Sequence, residues 1–164
     1  MKLFGIAGWS GSGKTSLIEA LIPLFTAAGL KVSMIKHTHH GFDLDRPGKD
    51  SFRFRDAGAS EVILAGADRW ALMHELREQT APTLAELSAR LSPCDLVLVE
   101  GFKAAELPKI EVYRAALGKP FLHPECANVV AIASDEAHAV NLPQLDLNDP
   151  PAIADYILRF NGLA

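Results

Sequence analysis

The residues Gly8-Trp9-Ser10-Gly11-Ser12-Gly13-Lys14-Thr15 fit the pattern G-x-x-x-x-G-K-[ST], and their setting restricts the fold more than any other stretch. An apolar run, Lys2-Leu3-Phe4-Gly5-Ile6-Ala7, leads straight into them, and Leu17, Ile18, Leu21, Leu24, Phe25 and Ala28 follow at helical spacing. Strand, glycine turn and helix in that order form the context in which this pattern binds phosphate. Phosphate oxygens need several N–H donors converging on one point, and Gly8, Gly11 and Gly13 let the backbone curl tightly enough to supply them. The first turn of the helix adds its positive end. Gly29 stands where this helix should stop, and Pro23 should kink it.

The rest of the chain alternates strand and helix signals. Residues 30–36 predict a second strand, residues 37–49 a polar loop, and residues 50–57 a short helix. Residues 61–65 and 69–73 read as a hairpin around Gly66-Ala67-Asp68. Thr83-x-x-Glu86 is a capping box before a helix with the stripe Leu84, Leu87 and Leu91. Strands are expected over 95–100, 109–113 and 128–133, a short helix over 136–140, and a last helix from Asp149-Pro150 to Phe160. These signals predict an α/β fold, P-loop NTPase-like, with a mainly parallel sheet flanked by helices and an antiparallel hairpin excursion. A length of 164 residues, 49% of them hydrophobic, suits one nucleotide-binding domain over 1–164 with a substantial core.

The expected phosphate-binding set is Gly8, Trp9, Ser10, Gly11, Ser12, Gly13, Lys14 and Thr15 with the neighbouring Ser16. Lys14 would reach the β- and γ-phosphates, and the Thr15 hydroxyl would coordinate a bridging Mg²⁺. Asp95-Leu96-Val97-Leu98-Val99-Glu100-Gly101 is an apolar strand with an acid at each end, about 16 Å apart at strand rise. Ligands of such sheets lie beyond the carboxyl ends of strands, so Glu100 and not Asp95 is the candidate to hold Mg²⁺ through water or to orient an attacking water. The loop with His37, His39, His40, Asp43, Asp45 and Asp50 admits two readings. It is a transition-metal cluster, or a switch loop whose carboxylates, Asp43 and Asp45 among them, serve the Mg²⁺ site with Thr15 and Glu100.

An N-K-x-D signature for guanine is absent. Asp135, just past the strand over 128–133, could accept N1–H and N2–H of guanine, or could cap the helix over 136–140. His74, His123 and His138 read as structural. A net charge of −4 provides no global positive field for nucleic acid or an anionic membrane, and no run approaches the roughly 20 apolar residues of a membrane span. Cys94 and Cys126 form neither a CxxC pair nor a disulfide framework, so a reducing, cytoplasmic setting is expected.

The segment from Lys36 to Ser51 (KHTHHGFDLDRPGKDS), with the loop over 8–15, DLVLVEGFK over 95–103 and LPKIEVYR over 107–114, resembles the MobB-type molybdopterin-guanine dinucleotide biosynthesis adapter proteins. The likeness runs from residue 3 to about residue 135. It implies a Mg²⁺-dependent, GTP-binding homodimer with weak GTPase activity at most. Such a protein assists the guanylyltransferase that attaches GMP to molybdopterin. Related dimeric P-loop ATPases often carry a second lysine where this chain has Trp9, so a lysine donated across a dimer from that position is excluded. Two other readings use the same loop. One is a small-molecule kinase with Arg46, Arg53 and Arg55 as a basic lid. The other is a metal-delivery GTPase of the hydrogenase- or urease-maturation kind, built on His37, His39 and His40. Residues 141–164 carry no motif.

Overall fold

Six strands align as one parallel sheet in the computed structural model, which describes residues 1–38 and 41–164. They are β1 (Lys2–Ala7), β2 (Val32–Lys36), β5 (Leu96–Glu100), β6 (Lys109–Tyr113), β7 (Val129–Ser134) and β8 (Gln144–Asp146), in the spatial order β2-β5-β1-β6-β7-β8. Every pairing is parallel, so the carboxyl ends of all six strands share one edge.

Leu96, Val97, Leu98 and Val99 of β5 are all fully buried. A strand covered on both faces has no polar side to alternate with, which explains its unbroken apolar run. On one face Phe4, Ile6, Leu98, Ile110 and Val112 pack with Leu17, Leu21 and Phe25 of α1 (Lys14–Ala27) and with Ile153 and Ile157 of α4 (Pro150–Asn161). On the other, Ile35, Val97, Val99 and Leu107 pack with Leu84 and Leu87 of α3 (Leu84–Ala89). The helix α1 continues through Pro23. Asp149 caps α4 by accepting from the Ala152 N–H at 3.1 Å.

Two expectations beyond β7 need correction. The helix over 136–140 does not form. Those residues turn, held by the His138 N–H on Gln144 Oε1 and by Gln144 Nε2 on the His138 carbonyl, both at 2.8 Å. The turn leads into β8, which the sequence reading missed because three residues with a single apolar side chain, Leu145, carry no period. Asp135 therefore caps no helix, and the Glu136 N–H is offered to Ser134 Oγ at 3.4 Å.

The chain divides into two compact units, Met1–His37 with Leu84–Ala164, which hold the sheet, and the insert Thr38–Thr83. In the insert α2 (Asp50–Asp56) precedes an antiparallel hairpin of β3 (Glu61–Ala65) and β4 (Trp70–His74). Arg55 organises this unit. Its guanidinium donates to Glu75 Oε1 at 2.6 Å, to Asp43 Oδ1 at 3.1 Å and, by a shorter contact, to Asp45. Hydrogen bonding from Arg55 holds the Asp45 carboxyl below the ordinary carboxylate range. Arg77, in the left-handed region at φ 48°, extends the hub by donating to the Arg55 and Ala59 carbonyls.

Candidate functional site

The shared strand edge collects the loop after β1, the end of β2, the loop after β5, the end of β6 and the end of β7. Gly8 has φ 147°, and a β-carbon on it would lie 2.5 Å from the Val112 carbonyl oxygen. Only glycine lets the loop turn this close to β6. Gly13, at φ 99°, leads into α1. Lys14 folds back over the loop, its ammonium donating to the Trp9 carbonyl at 2.8 Å. Ser12 is buried, and its Oγ has no hydrogen-bond partner among the described residues. Ser10, Thr15 and Ser16 are exposed.

Glu100 ends β5 as a buried carboxylate, with the Lys36 ammonium 3.4 Å away. The pairing follows from register, since Lys36 and Glu100 are partners in the β2–β5 ladder. Gly101 has φ 87°, and a β-carbon there would come within 2.9 Å of His37 Cβ. The His37 ring lies 4.8 Å from that of Phe102. Lys14 is less basic than an ordinary lysine. Burial is the main cause, the Glu100 carboxylate opposes it, and the charges of Lys103 and Lys36 add to it.

Asp135 follows β7 and accepts from Arg114 Nη1, while Arg114 Nε donates to the Ser12 carbonyl at 3.2 Å. One guanidinium thus ties the phosphate loop to Asp135. Beside Asp135 a cavity of about 390 Å³ opens between Ser134, Glu136, Gln144 and Asp146. The fold therefore brings together residues 8–16, Glu100 and Asp135. Asp43 and Asp45 belong to the insert, where Arg55 holds both. His39 and His40 lie outside the described residues. Among the described residues no group of three or more His, Cys, Asp or Glu is arranged to hold a metal.

Sequence reasoning missed Lys36, Lys103 and Arg114 at this edge. Each lies at or just past the carboxyl end of a strand, a positional signal that could have found them. It also missed two buried charged residues of β6. Lys109 donates to the Lys103 and Ala105 carbonyls, both at 2.8 Å. Glu111 accepts the N–H groups of Leu122 and His123 at 2.6 and 3.0 Å. They hold the loops on either side of Trp9, whose indole N–H donates to the Pro120 carbonyl at 2.7 Å.

A parallel sheet whose first strand enters a glycine loop, a lysine and a helix, with an acid ending the adjacent strand, defines a P-loop NTPase-like protein. Comparison with known proteins narrows this class. Residues 3–135 match the family described as MobB, molybdopterin guanine dinucleotide synthesis protein B, and the chain belongs to that family. It is 42% identical over 161 residues to the molybdopterin-guanine dinucleotide biosynthesis adapter protein of Escherichia coli, spanning 96% of this chain and 92% of the relative. The protein of the same description from Haemophilus influenzae is 44% identical, over 94% of this chain and 86% of the relative. A crystal structure of molybdopterin-guanine biosynthesis protein B superimposes with a TM-score of 0.78 at 27% identity, covering 96% of this chain and 99% of that one.

Proposed function

We propose that this chain is a GTP-binding adapter in molybdopterin-guanine dinucleotide biosynthesis, acting as a homodimer beside the guanylyltransferase that joins GMP to molybdopterin. The observation that carries the nucleotide part is the loop over 8–15. Its glycines leave room that side chains would fill, its lysine is present, and the Ser12 hydroxyl within it is buried without a partner. A polyanion with many acceptor oxygens satisfies such a loop. The adapter part is supported by the descriptions of the two bacterial relatives.

The donor set fits Mg²⁺. Thr15 and Glu100 are hard oxygen ligands, and Glu100 already attracts the Lys36 cation, which the ion would join or replace. Bound there, Mg²⁺ would supply positive charge that neutralises part of the phosphates' own. Lys14 binds the phosphates as a point charge, and burial, more than its cationic neighbours, lowers its basicity. Glu100 would hold Mg²⁺ through water or orient an attacking water, in keeping with a weak GTPase activity at most. Asp43 and Asp45 reach such a site only by leaving Arg55, an exchange that nucleotide binding would have to drive. The cavity beside Asp135 supports a base-binding role for that residue, with Arg114 linking base and phosphate ends.

For the dimer, the support is the outer face of the hairpin, where Ile63, Trp70 and Leu72 are exposed. The kinase reading is weakened at Arg55, which is committed to three carboxylates.

Calorimetry with GTP and Mg²⁺ tests the proposal. Lys14→Ala should lose several kcal/mol of nucleotide affinity while keeping its fold, and the guanylyltransferase should co-purify with the wild type. A folded Lys14→Ala protein with undiminished GTP affinity would refute the site.

A further inference from the structure

The loop between β5 and β6 carries a cation that the sequence motifs leave unexplained. The Lys103 ammonium lies 4.2 Å from the centre of the Trp9 ring, over its face. Lys119 approaches the same ring at 5.8 Å. The lysine is exposed but its backbone is fixed, because its carbonyl accepts from the buried Lys109 ammonium at 2.8 Å and from Cys126 Sγ at 3.2 Å. Phe102, just before it, sits in the left-handed region at φ 46°. A residue with a β-carbon adopts that conformation at a cost, and such strain collects where a chain must aim a side chain. Trp9 in turn is held by its own N–H on Pro120.

The charges at this edge do not balance. Of the groups whose charges act on the Lys14 cation, Lys36 and Lys103 are cations and Glu100 is a carboxylate, so these four side chains sum to 3 − 1 = +2 in a chain whose net charge is −4. Lys36 takes the carboxylate. Neither Lys14 nor Lys103 has an ion-pair partner among the described residues: Lys14 donates to a carbonyl, and Lys103 sits on a π face. An ammonium on a ring exchanges readily for a phosphate oxygen, because a charge-assisted hydrogen bond is the stronger contact.

We propose that Lys103 is a second phosphate-facing cation of the nucleotide site, parked on Trp9 and supplied in cis from the β5–β6 loop. Position 9 itself offers no lysine, and its indole instead recruits one from another loop of the same chain. The inference rests on the nucleotide reading of the 8–15 loop.

The test is calorimetry on the full chain with GppNHp·Mg²⁺ and with GDP, at low and high salt, comparing wild type, Lys14→Ala, Lys103→Ala and Lys103→Arg. Lys103→Ala should raise the Kd for GppNHp roughly tenfold and flatten its salt dependence, with an unchanged thermal midpoint because the side chain is exposed. Lys103→Arg should keep most of the affinity. A larger effect on GppNHp than on GDP assigns Lys103 to the terminal phosphate, and an equal effect assigns it to the phosphates the two ligands share. Should Lys103→Ala bind GppNHp within about twofold of wild type while Lys14→Ala loses it, the proposal is wrong and the nucleotide site stands. A wild type that binds neither ligand overturns both.

Discussion

The sheet unit and the insert are held together by different forces. In the sheet unit Phe4, Ile6, Leu21, Phe25, Leu98, Ile110, Ile153 and Ile157 are fully enclosed, and buried charges such as Lys109 and Glu111 serve to hold loops. In the insert the organising residue is Arg55 among three carboxylates, and apolar side chains face outward: Phe42, Leu44, Phe54, Ile63, Leu64, Trp70 and Leu72 are all exposed. A core of the first kind is self-sufficient, since apolar burial needs no partner chain. A unit of the second kind keeps its shape by charge pairing and leaves unburied the surface that would have stabilised it. The difference matches the proposed division of labour, with ligand binding on the rigid sheet edge and association through the insert.

The comparison breaks most visibly in the sheet. Phe25→Ala should cost about 3–5 kcal/mol through lost burial and a residual cavity, seen as a lower denaturation midpoint at unchanged m-value. Survival of the sheet with only local loosening would mean that the core is not one cooperative unit. A smaller effect of another kind is expected at Gly8→Ala. The added methyl meets the Val112 carbonyl and Ser12 Oγ at a positive φ, costing about 1–3 kcal/mol, and it should abolish GTP binding in calorimetry while thermal unfolding shows the sheet still folded.

The insert should respond to charge and to acid. Arg55→Met leaves Asp43, Asp45 and Glu75 facing one another without their cation, so trypsin should cut faster at Lys49 while the sheet stays resistant. The pH dependence has a definite sign. The folded Asp45 carboxyl sits below its unfolded value of 3.8, so its contribution is complete above that value and fades as falling pH protonates it. Read by hydrogen exchange or by digestion with the acid-active protease pepsin, wild-type protection of the insert should therefore decline below about pH 4, and Arg55→Met should lose that acid step. Equal cleavage of the two proteins at neutral pH would remove Arg55 from its organising role.

Much of the sheet unit is legible in the sequence because its signals are local. The glycine spacing over 8–15, the apolar run of β5 and the Asp149-Pro150 cap each depend on a few adjacent residues. What escaped depends on distant ones. The strand over 109–113 is predicted, but the burial of both its faces is not, because Lys109 and Glu111 find backbone partners up to 12 residues away. Arg114 joins Ser12 to Asp135 across 102 and 21 residues, a link that no spacing rule contains. In the insert the ion pairs of Asp43 and Asp45 were not legible either, since a carboxylate in a polar loop carries no mark of the arginine that pairs with it.

The smallest expected effect on stability is the sharpest test of the insert. The register pairs Ile63 with Leu72 and Ala65 with Trp70, and a two-residue period puts all four on one face. Val62 and Met73, on the opposite face, are buried. At the end of the outer face Glu61 and His74 pair at 2.7 Å, a polar boundary to an apolar stripe. The double variant Ile63→Thr, Leu72→Thr places β-branched, strand-compatible side chains at both positions while making the stripe polar. Because both positions are exposed, a monomer should change by no more than about 0.5 kcal/mol. A homodimer seated on this face should fall apart, because apolar area buried between copies drives such association. Sedimentation equilibrium and chemical denaturation, run on the same samples, separate the cases. A dimer that becomes monomeric with its hairpin still folded assigns the stripe to self-association, whereas a variant that sediments like the wild type means the copies meet elsewhere.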